Sequence, residues 1–598
     1  MTWEMLFTLF VVLTMMVCLV KEVARPDLTV FIALIILLAT GILTTEEAIA
    51  GFSNEGMLTV CLLFVVAGTL QKSGIMERVM YQLLKKNKEE KRSLSRLLIP
   101  VTGVSAFLNN TPIVATLTPI VRKWCMDHNI SPSKFLIPLS FASILGGLLT
   151  LMGTSTNLVI HGLMLERGLE GYSLFTLTIY SLPACILGIT YLVTLGYKLL
   201  PNYHHVDYTL KEKSDEYLIE TIVEENYPFL ETPIINKTVE EAGLRNLESV
   251  YLIAIIRKEE KIYPVHGGTI IRANDHLIFT GKISNIADIQ DIKGLTLKAD
   301  TKVNLDRLQN GQDRLMEVVI SHQSSLVYQR IKDTGFRATY DAGVLAVHRD
   351  NVHIESKIGD IVLRPGDTLL LLTGNDFEKR TTYSNDFYFV SPVEDHPLVE
   401  KVNATRPLLT ALIFTIMIIL VSLDVLSMFK AMSMTVVLYL LFKIVSFHEA
   451  KEFVHFHVLL LIASSFGIGT ALFKTGAADW IASYLIKLSI PLGDLGVYIF
   501  LYFITVVFTE IITNNAAAVF MFPIAVEAAN QLGEDPLAFL VLITIGASAS
   551  FLSPIGYQTN LIVYHPGGYK FVDFFKVGLP LSLIVMLSTI ATVYWMGL

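Results

Sequence analysis

Charge is scarce in this 598-residue sequence. Only 17% of its residues are Asp, Glu, Lys or Arg, where soluble domains carry about 25%. That shortfall excludes a chain that is soluble throughout. Cysteine is scarce too. Cys18, Cys61, Cys125 and Cys185 all lie in or beside apolar stretches and none shows CxxC spacing. They read as small core residues, not as a disulfide framework or metal ligands. No GxGxxG follows a strand-like run and no GxxxxGK[ST] occurs, so the glycine-rich phosphate cradles are missing. No HExxH or nucleophile–base constellation stands out, and an enzyme is not expected. A TVGYG-like carbonyl filter is absent, which speaks against a potassium channel. The first apolar run, Met5–Val20, has neither a basic leader nor a small-residue cleavage site, so no cleavable signal peptide is expected. Neither nucleic acid nor an organic cofactor is among the expected partners.

What is present is hydrocarbon. Of the residues, 53% are apolar and mean hydropathy is +0.55, and long uncharged runs predict a polytopic helical protein with the lipid bilayer as its surroundings. Apolar spans fall near 5–20, 28–45 and 57–72. An amphipathic stretch at 76–88 follows, expected along the membrane surface. Lys85, Lys86, Lys88, Lys91, Arg92 and Arg96 then place that loop in the cytoplasm by the positive-inside rule, with both chain ends outside.

Residues 94–126 are apolar but interrupted at Asn109-Asn110-Thr111-Pro112, where Pro112 is expected to break the helix. Basic residues at both ends favour a re-entrant hairpin. The next run, 135–165, is too long for one plain crossing. Gly146-Gly147 and Gly153-Thr-Ser-Thr-Asn157 predict a discontinuous helix, tolerated only where its backbone is buried or lines a cavity. A span at 173–197 closes this half.

The pattern then recurs. Asn110 answers Asn514, and Ser105 answers Thr509, both at a spacing of 404; Gly153 answers Gly556 and Asn157 answers Asn560 at 403; Lys72 answers Lys474 at 402. Spans at 407–422, 431–446 and 456–473, a surface helix near 479–490, a hairpin at 496–529, a broken helix at 537–565 and a last span at 571–596 repeat the first half. Five crossings per half make the second half inverted relative to the first, so the expected fold is two inverted repeats with re-entrant hairpins and broken helices, 1–200 and 404–598.

The middle third is different. Residues 198–406 carry more than half of the charged residues and are expected to be a cytoplasmic, soluble α+β insert. It repeats as well: Gly243-Leu-Arg245 answers Gly335-Phe-Arg337, and Asp275 answers Asp367, at a spacing of 92. Two small modules are expected, 204–294 and 312–392.

The paired motifs Ser105…Asn109-Asn110-Thr111 and Thr509-Glu510…Thr513-Asn514-Asn515, with Gly153-Thr-Ser-Thr-Asn157 and Gly556…Thr559-Asn560, resemble the divalent anion–sodium symporter family of the ion transporter superfamily. The soluble pair resembles TrkA-C (RCK-C) modules, found between the two halves in one bacterial branch. The tips depart from the family's Ser-Asn-Thr, reading Asn-Asn-Thr and Thr-Asn-Asn. The resemblance implies a homodimer in the inner (plasma) membrane, an elevator-type mechanism, and a scaffold from the first three helices of each half. Carried over, one sodium site would use Ser105, Asn109, Asn110 and the backbone near Gly153. The other would use Thr509, Thr513, Asn514 and the backbone near Gly556. A small divalent anion would sit between the tips on Asn110, Thr111, Thr154, Asn514, Asn515 and Thr559. TrkA-C modules also suggest a small anionic regulatory ligand.

The bland reading of the same residues is that they are small packing and hydrogen-bonding groups between helices. Against it stands the cost of polar clusters in hydrocarbon unless they bind something. Hard oxygen donors freed by broken helices suit sodium, and no Lys or Arg lies near either motif. Glu510 can be a structural group at its hairpin or a proton carrier, which leaves a proton-coupled carrier or anion exchanger as an alternative. A potassium transporter or a membrane nutrient sensor are readings of other classes. Among anions, the added Asn donors at 109 and 515 favour sulfate, a compact tetrahedral oxyanion, over a dicarboxylate, which needs two separated donor clusters.

Overall fold

The computed structural model describes residues 2–21, 24–74, 90–203, 407–489, 495–564 and 566–596. Between 218 and 392 it also describes all but 228–229, 232–233, 245–249, 258–259, 263–264, 266, 282–294, 298–313, 322–323, 350–351, 355–357, 375 and 382–385. The expected surface helix at 76–88 lies outside the described residues. The chain forms two compact units. One is Met1–Tyr203 with Val399–Leu598, and the other is His204–Leu398.

In the first part of the helical unit, α1 (Trp3–Val20), α2 (Pro26–Ala39), the one-turn α3 (Thr45–Ile49) and α4 (Glu55–Lys72) come in succession. Pro26 opens α2 where its missing N–H costs nothing. A capping box starts α3: Glu47 N–H donates to Thr44 Oγ1, and Glu47 Oε2 accepts from Thr44 N–H at 2.7 Å. Next is a hairpin of α5 (Glu90–Ser105) and α6 (Asn110–Asp127), whose arms pack against α7 (Leu136–Gly147) more than against each other. After an unwound stretch the broken helix resumes as α8 (Ser155–Glu166), and α9 (Thr176–Tyr191) continues through a π turn at Leu192–Gly196.

Two expectations are corrected here. The hairpin breaks at 106–109, ahead of Pro112, which sits in the first turn of α6. There a proline removes no helical bond. Gly146 and Gly147 do not interrupt α7 but end it, and the unwound backbone runs from 148 to 154.

The other unit holds two five-stranded antiparallel sheets. With β1 (Leu218–Val223), β4 (Val250–Arg257), β5 (Glu260–Ile262), β6 (His276–Gly281) and β7 (Leu295–Leu297), the first has the order β5-β4-β6-β1-β7. The second is built from β8 (Arg314–Ile320), β9 (Ala342–Arg349), β10 (Val352–His353), β11 (Thr368–Thr373) and β12 (Phe387–Pro392) in the order β10-β9-β11-β8-β12, the same sequence of roles. The short β2 (Asn226–Tyr227) and β3 (Leu230–Glu231) pair with each other. One buried fork ties each sheet. Arg257 holds Asp275 by two bonds of 2.8 Å and also donates to the Ile270 carbonyl. Arg349 holds Asp367 by two bonds of 2.7 Å and donates to the Val362 carbonyl. Short helices α10 (Phe336–Tyr340) and α11 (Phe377–Thr381) cover the second sheet's core.

The helical unit resumes with α12 (Pro407–Ser422), α13 (Met428–Leu441), the short α14 (Phe447–Phe453), α15 (Phe456–Lys474) and α16 (Ala477–Ser489). A second hairpin, α17 (Leu495–Ile511) and α18 (Asn514–Leu532), straddles α19 (Pro536–Ser548). The broken helix resumes as α20 (Gln558–Tyr564), and α21 (Phe571–Trp595) ends the unit. Among the described residues, four helical spans are long and apolar enough to cross a bilayer: Thr45–Lys72, Thr176–Leu199, Phe456–Lys474 and Phe571–Trp595.

The two parts interlock by exchange. Helix α2 packs on α15, and α13 packs on α4. Lys72, ending α4, donates to Glu449 of α14. Reciprocally, Lys474, ending α15, donates to Glu47 of α3 at 2.8 Å. The start of α4 therefore lies beside the end of α15, and the end of α4 beside the start of α15, so these two helices run antiparallel. Val65, Val66, Ile413, Tyr439, Val445 and Ala450 bury the seam along α4.

Candidate functional site

Each hairpin tip is fastened in the same way. At the first, Ser105 Oγ sits 2.7 Å from Asn110 Oδ1 and 2.8 Å from the Ser143 carbonyl. At the second, Thr509 Oγ1 sits 2.9 Å from Asn514 Oδ1 and 2.5 Å from the Ala547 carbonyl. A hydroxyl has one proton for these two acceptors, which leaves its lone pairs free. The unwound stretches are fastened alike as well. Asn157 Nδ2 donates to the Gly147 and Thr150 carbonyls at 3.1 and 2.8 Å. Asn560 Nδ2 donates to the Ser550 and Ser553 carbonyls at 3.1 and 3.0 Å. All of these polar side chains are buried. The oxygens at each tip are a hydroxyl, an amide carbonyl and a backbone carbonyl in the last turn or two of the helix before the unwound stretch, a chemistry that fits a hard monovalent cation.

Across the middle, each tip meets the other half's broken helix. Asn110 Nδ2 donates to Tyr557 Oη at 2.8 Å, and Thr111 Oγ1 donates to Gln558 Oε1 at 3.2 Å. In the other direction, Asn515 Oδ1 accepts from Ser155 Oγ at 3.1 Å and Thr156 Oγ1 at 3.2 Å. The N-termini of α18 and α8 are thereby brought together. Two helix N-termini each carry about half a positive charge, and an anion between them relieves their repulsion.

Of the residues singled out from sequence, Ser105 and Asn110 form one fastening, Thr509 and Asn514 the other. Asn109 and Thr513 occupy the N-cap positions of α6 and α18 without a side-chain capping bond. Thr154 is buried, and its Oγ1 lies 3.4 Å from Tyr557 Oη. Asn514 Nδ2 and Thr559 Oγ1 are buried with no hydrogen-bond partner among the described residues. Gly153 packs so closely that a Cβ would stand 2.5 Å from the Gly147 carbonyl oxygen. A Cβ on Gly556 would stand 2.7 Å from Glu510 Oε2. Glu510 itself accepts the Leu552 N–H at 2.8 Å, bracing the unwound stretch. Sequence reasoning missed Tyr557, Gln558, Ser155 and Thr156. At the 403 spacing Tyr557 and Gln558 fall opposite Thr154 and Ser155, which was the available signal.

The chain as a whole is similar to known proteins. A "Putative sulfur deprivation response regulator" of Chlamydomonas reinhardtii is 34% identical over 96% of this chain and 98% of its own length. The "Uncharacterized transporter sll0640" of Synechocystis is 31% identical over 98% and 96%. "Probable sodium/sulfate cotransporter 3" of Chlamydomonas reinhardtii is 24% identical over 94% and 85%. The model of the citrate transporter family (CitMHS) matches residues 16–546. The chain is a multi-pass helical membrane protein and belongs to the citrate transporter family.

Proposed function

We propose that the protein is a sodium-coupled secondary active transporter that imports a small divalent anion, sulfate in preference to a dicarboxylate, through a site shared by two inverted repeats. The observation that carries this reading is the paired fastening of Asn110 and Asn514, each tip facing the other half's broken helix. The antiparallel course of α4 and α15 supports inverted repeats. Sodium would be held by Ser105, Asn109, Asn110 and the backbone at Gly153 on one side, and by Thr509, Thr513, Asn514 and the backbone at Gly556 on the other. The anion would lie between, on Asn110, Thr111, Thr154, Asn514, Asn515 and Thr559. No Lys or Arg stands near either motif, so bound sodium and helix N-termini supply the positive charge that a dianion needs.

The family is described by citrate, while several relatives are named for sodium and sulfate. Size is our reason for the second. The tips lie within hydrogen-bonding reach of the opposite half, which leaves little length for separated carboxylates. We propose further that the chain works as a homodimer in the plasma membrane by an elevator-type motion. In this reading residues 204–294 and 312–392 are cytoplasmic TrkA-C-like regulatory modules that take a small anionic ligand. Proteoliposomes holding the full-length protein decide the matter: labelled sulfate should accumulate only with an inward sodium gradient. Uptake driven equally well by a proton gradient alone would reject sodium coupling and return Glu510 to the role of coupling group.

A further inference from the structure

The two sides of the site are not equal, and Tyr557 is the reason. At the 403 spacing it stands where the first half has Thr154. Its side chain crosses to the first tip, where Oη accepts from Asn110 Nδ2 at 2.8 Å. At the second tip the equivalent bond is missing: Asn514, only 7% exposed, keeps its Nδ2 without a partner among the described residues. One asparagine amide is thus engaged through one N–H and the other is open. A phenol that accepts from an amide still has its own proton to give. The neighbouring acceptor, Thr154 Oγ1, is 3.4 Å away, well beyond the usual 2.7–2.8 Å of an O–H···O bond.

We propose that Tyr557 is a specificity-determining residue of the anion site. Its hydroxyl, held by one N–H of Asn110, donates to the anion beside that amide's second N–H. Its ring shortens the space between the tips, so that a single-centred tetrahedral oxyanion fits and a dianion with two separated carboxylates does not. The inference rests on the anion-symport reading above and deepens it.

The test uses full-length protein in proteoliposomes, with labelled sulfate as probe and succinate as competitor. Tyr557→Phe keeps the ring and removes the donor. Its KM for sulfate should rise about tenfold, the effect of one lost hydrogen bond to a charged group, with succinate still excluded. Tyr557→Thr restores the residue of the other half, and succinate should then compete with sulfate at comparable concentration. An unchanged KM in the first variant overturns the donor role, and unchanged exclusion of succinate in the second overturns the size role. If either variant is not monodisperse, Tyr557→Trp, which retains bulk and an N–H donor, is read instead: exclusion of succinate supports the inference and its admission overturns it. Wild-type protein that takes up no anion with sodium defeats the transport reading itself, an outcome distinct from those of the variants.

Discussion

Asn110 and Asn514 each turn their amide in two directions. The carbonyl oxygen is fixed by Ser105 or Thr509, while the nitrogen of Asn110 reaches Tyr557 in the other half and that of Asn514 is buried without a partner among the described residues. Replacing either by Ala removes a proposed sodium ligand and an anion donor together. Asn110→Ala and Asn514→Ala are each expected to reduce sodium-driven uptake to background while the protein stays monodisperse. Wild-type uptake in both would remove these residues from the site. The glycines give a graded companion test. A Cβ at Gly147 would stand 2.7 Å from Asn110 Oδ1, whereas one at Gly103 would meet nothing within 4 Å. Gly147→Ala should therefore displace Asn110 and cost about 1–3 kcal/mol of stability by overpacking along with most of the uptake. Gly103→Ala should keep uptake and gain up to about 1 kcal/mol from helix propensity, measured as a shift in Tm. At this scale the tip asparagines were readable because a carboxamide in hydrocarbon is costly without a task. The partners of Thr111 and Asn515 were not. They lie 447 and about 360 residues away along the chain, and no local periodicity encodes such a meeting.

At the scale of elements, the reciprocal pairs Lys72–Glu449 and Lys474–Glu47 fix both ends of α4 and α15. Each glutamate also closes a capping box, so its geometry is set before the lysine arrives. The partners are partly exposed, with Lys474 at 42% and Glu47 at 31%, which limits each pair to roughly 0.5–1 kcal/mol. Lys474→Glu should lower Tm, and adding Glu47→Gln, which removes the like charge and keeps the capping-box acceptor, should recover most of the loss. Additive losses would mean the pair is incidental. In the β unit the balance differs, because Asp367 is 1% exposed and Arg349 28%. Arg349→Ala strands a buried carboxylate and should cost about 3–5 kcal/mol. Asp367→Ala, which leaves a partly solvated guanidinium, should cost less. Hydrogen exchange across β9 and β11 measures both. Spans and hairpins were legible from uncharged length, and the broken helices from their polar Gly/Thr/Asn interruptions. The small α3 and α14 were not, since five and seven residues make fewer than two helical turns, too few for a periodicity to show. Pro112 misled because proline marks a helix boundary without saying which side of it the helix occupies.

At the scale of the whole molecule, the β unit His204–Leu398 separates two parts of one helical unit. Under the regulatory reading, a flexible linker in its place should alter the rate of uptake and leave the preference among anions unchanged. Loss of anion binding by a monodisperse linker variant would instead make the insert part of the site. The reciprocal pairs also have a consequence for how the protein is made. Glu47 leaves the ribosome 427 residues ahead of Lys474, an interval of roughly 20–90 s at ordinary elongation rates. Throughout that time α2 and α4 wait in the bilayer for α15 and α13, which do not yet exist. The first half is thus an unfinished object at the translocon, and maturation is a single late event set by arrival of the second half. A chain stopped after residue 406 should be cleared by quality-control proteolysis, and supplying residues 399–598 as a separate polypeptide should rescue it.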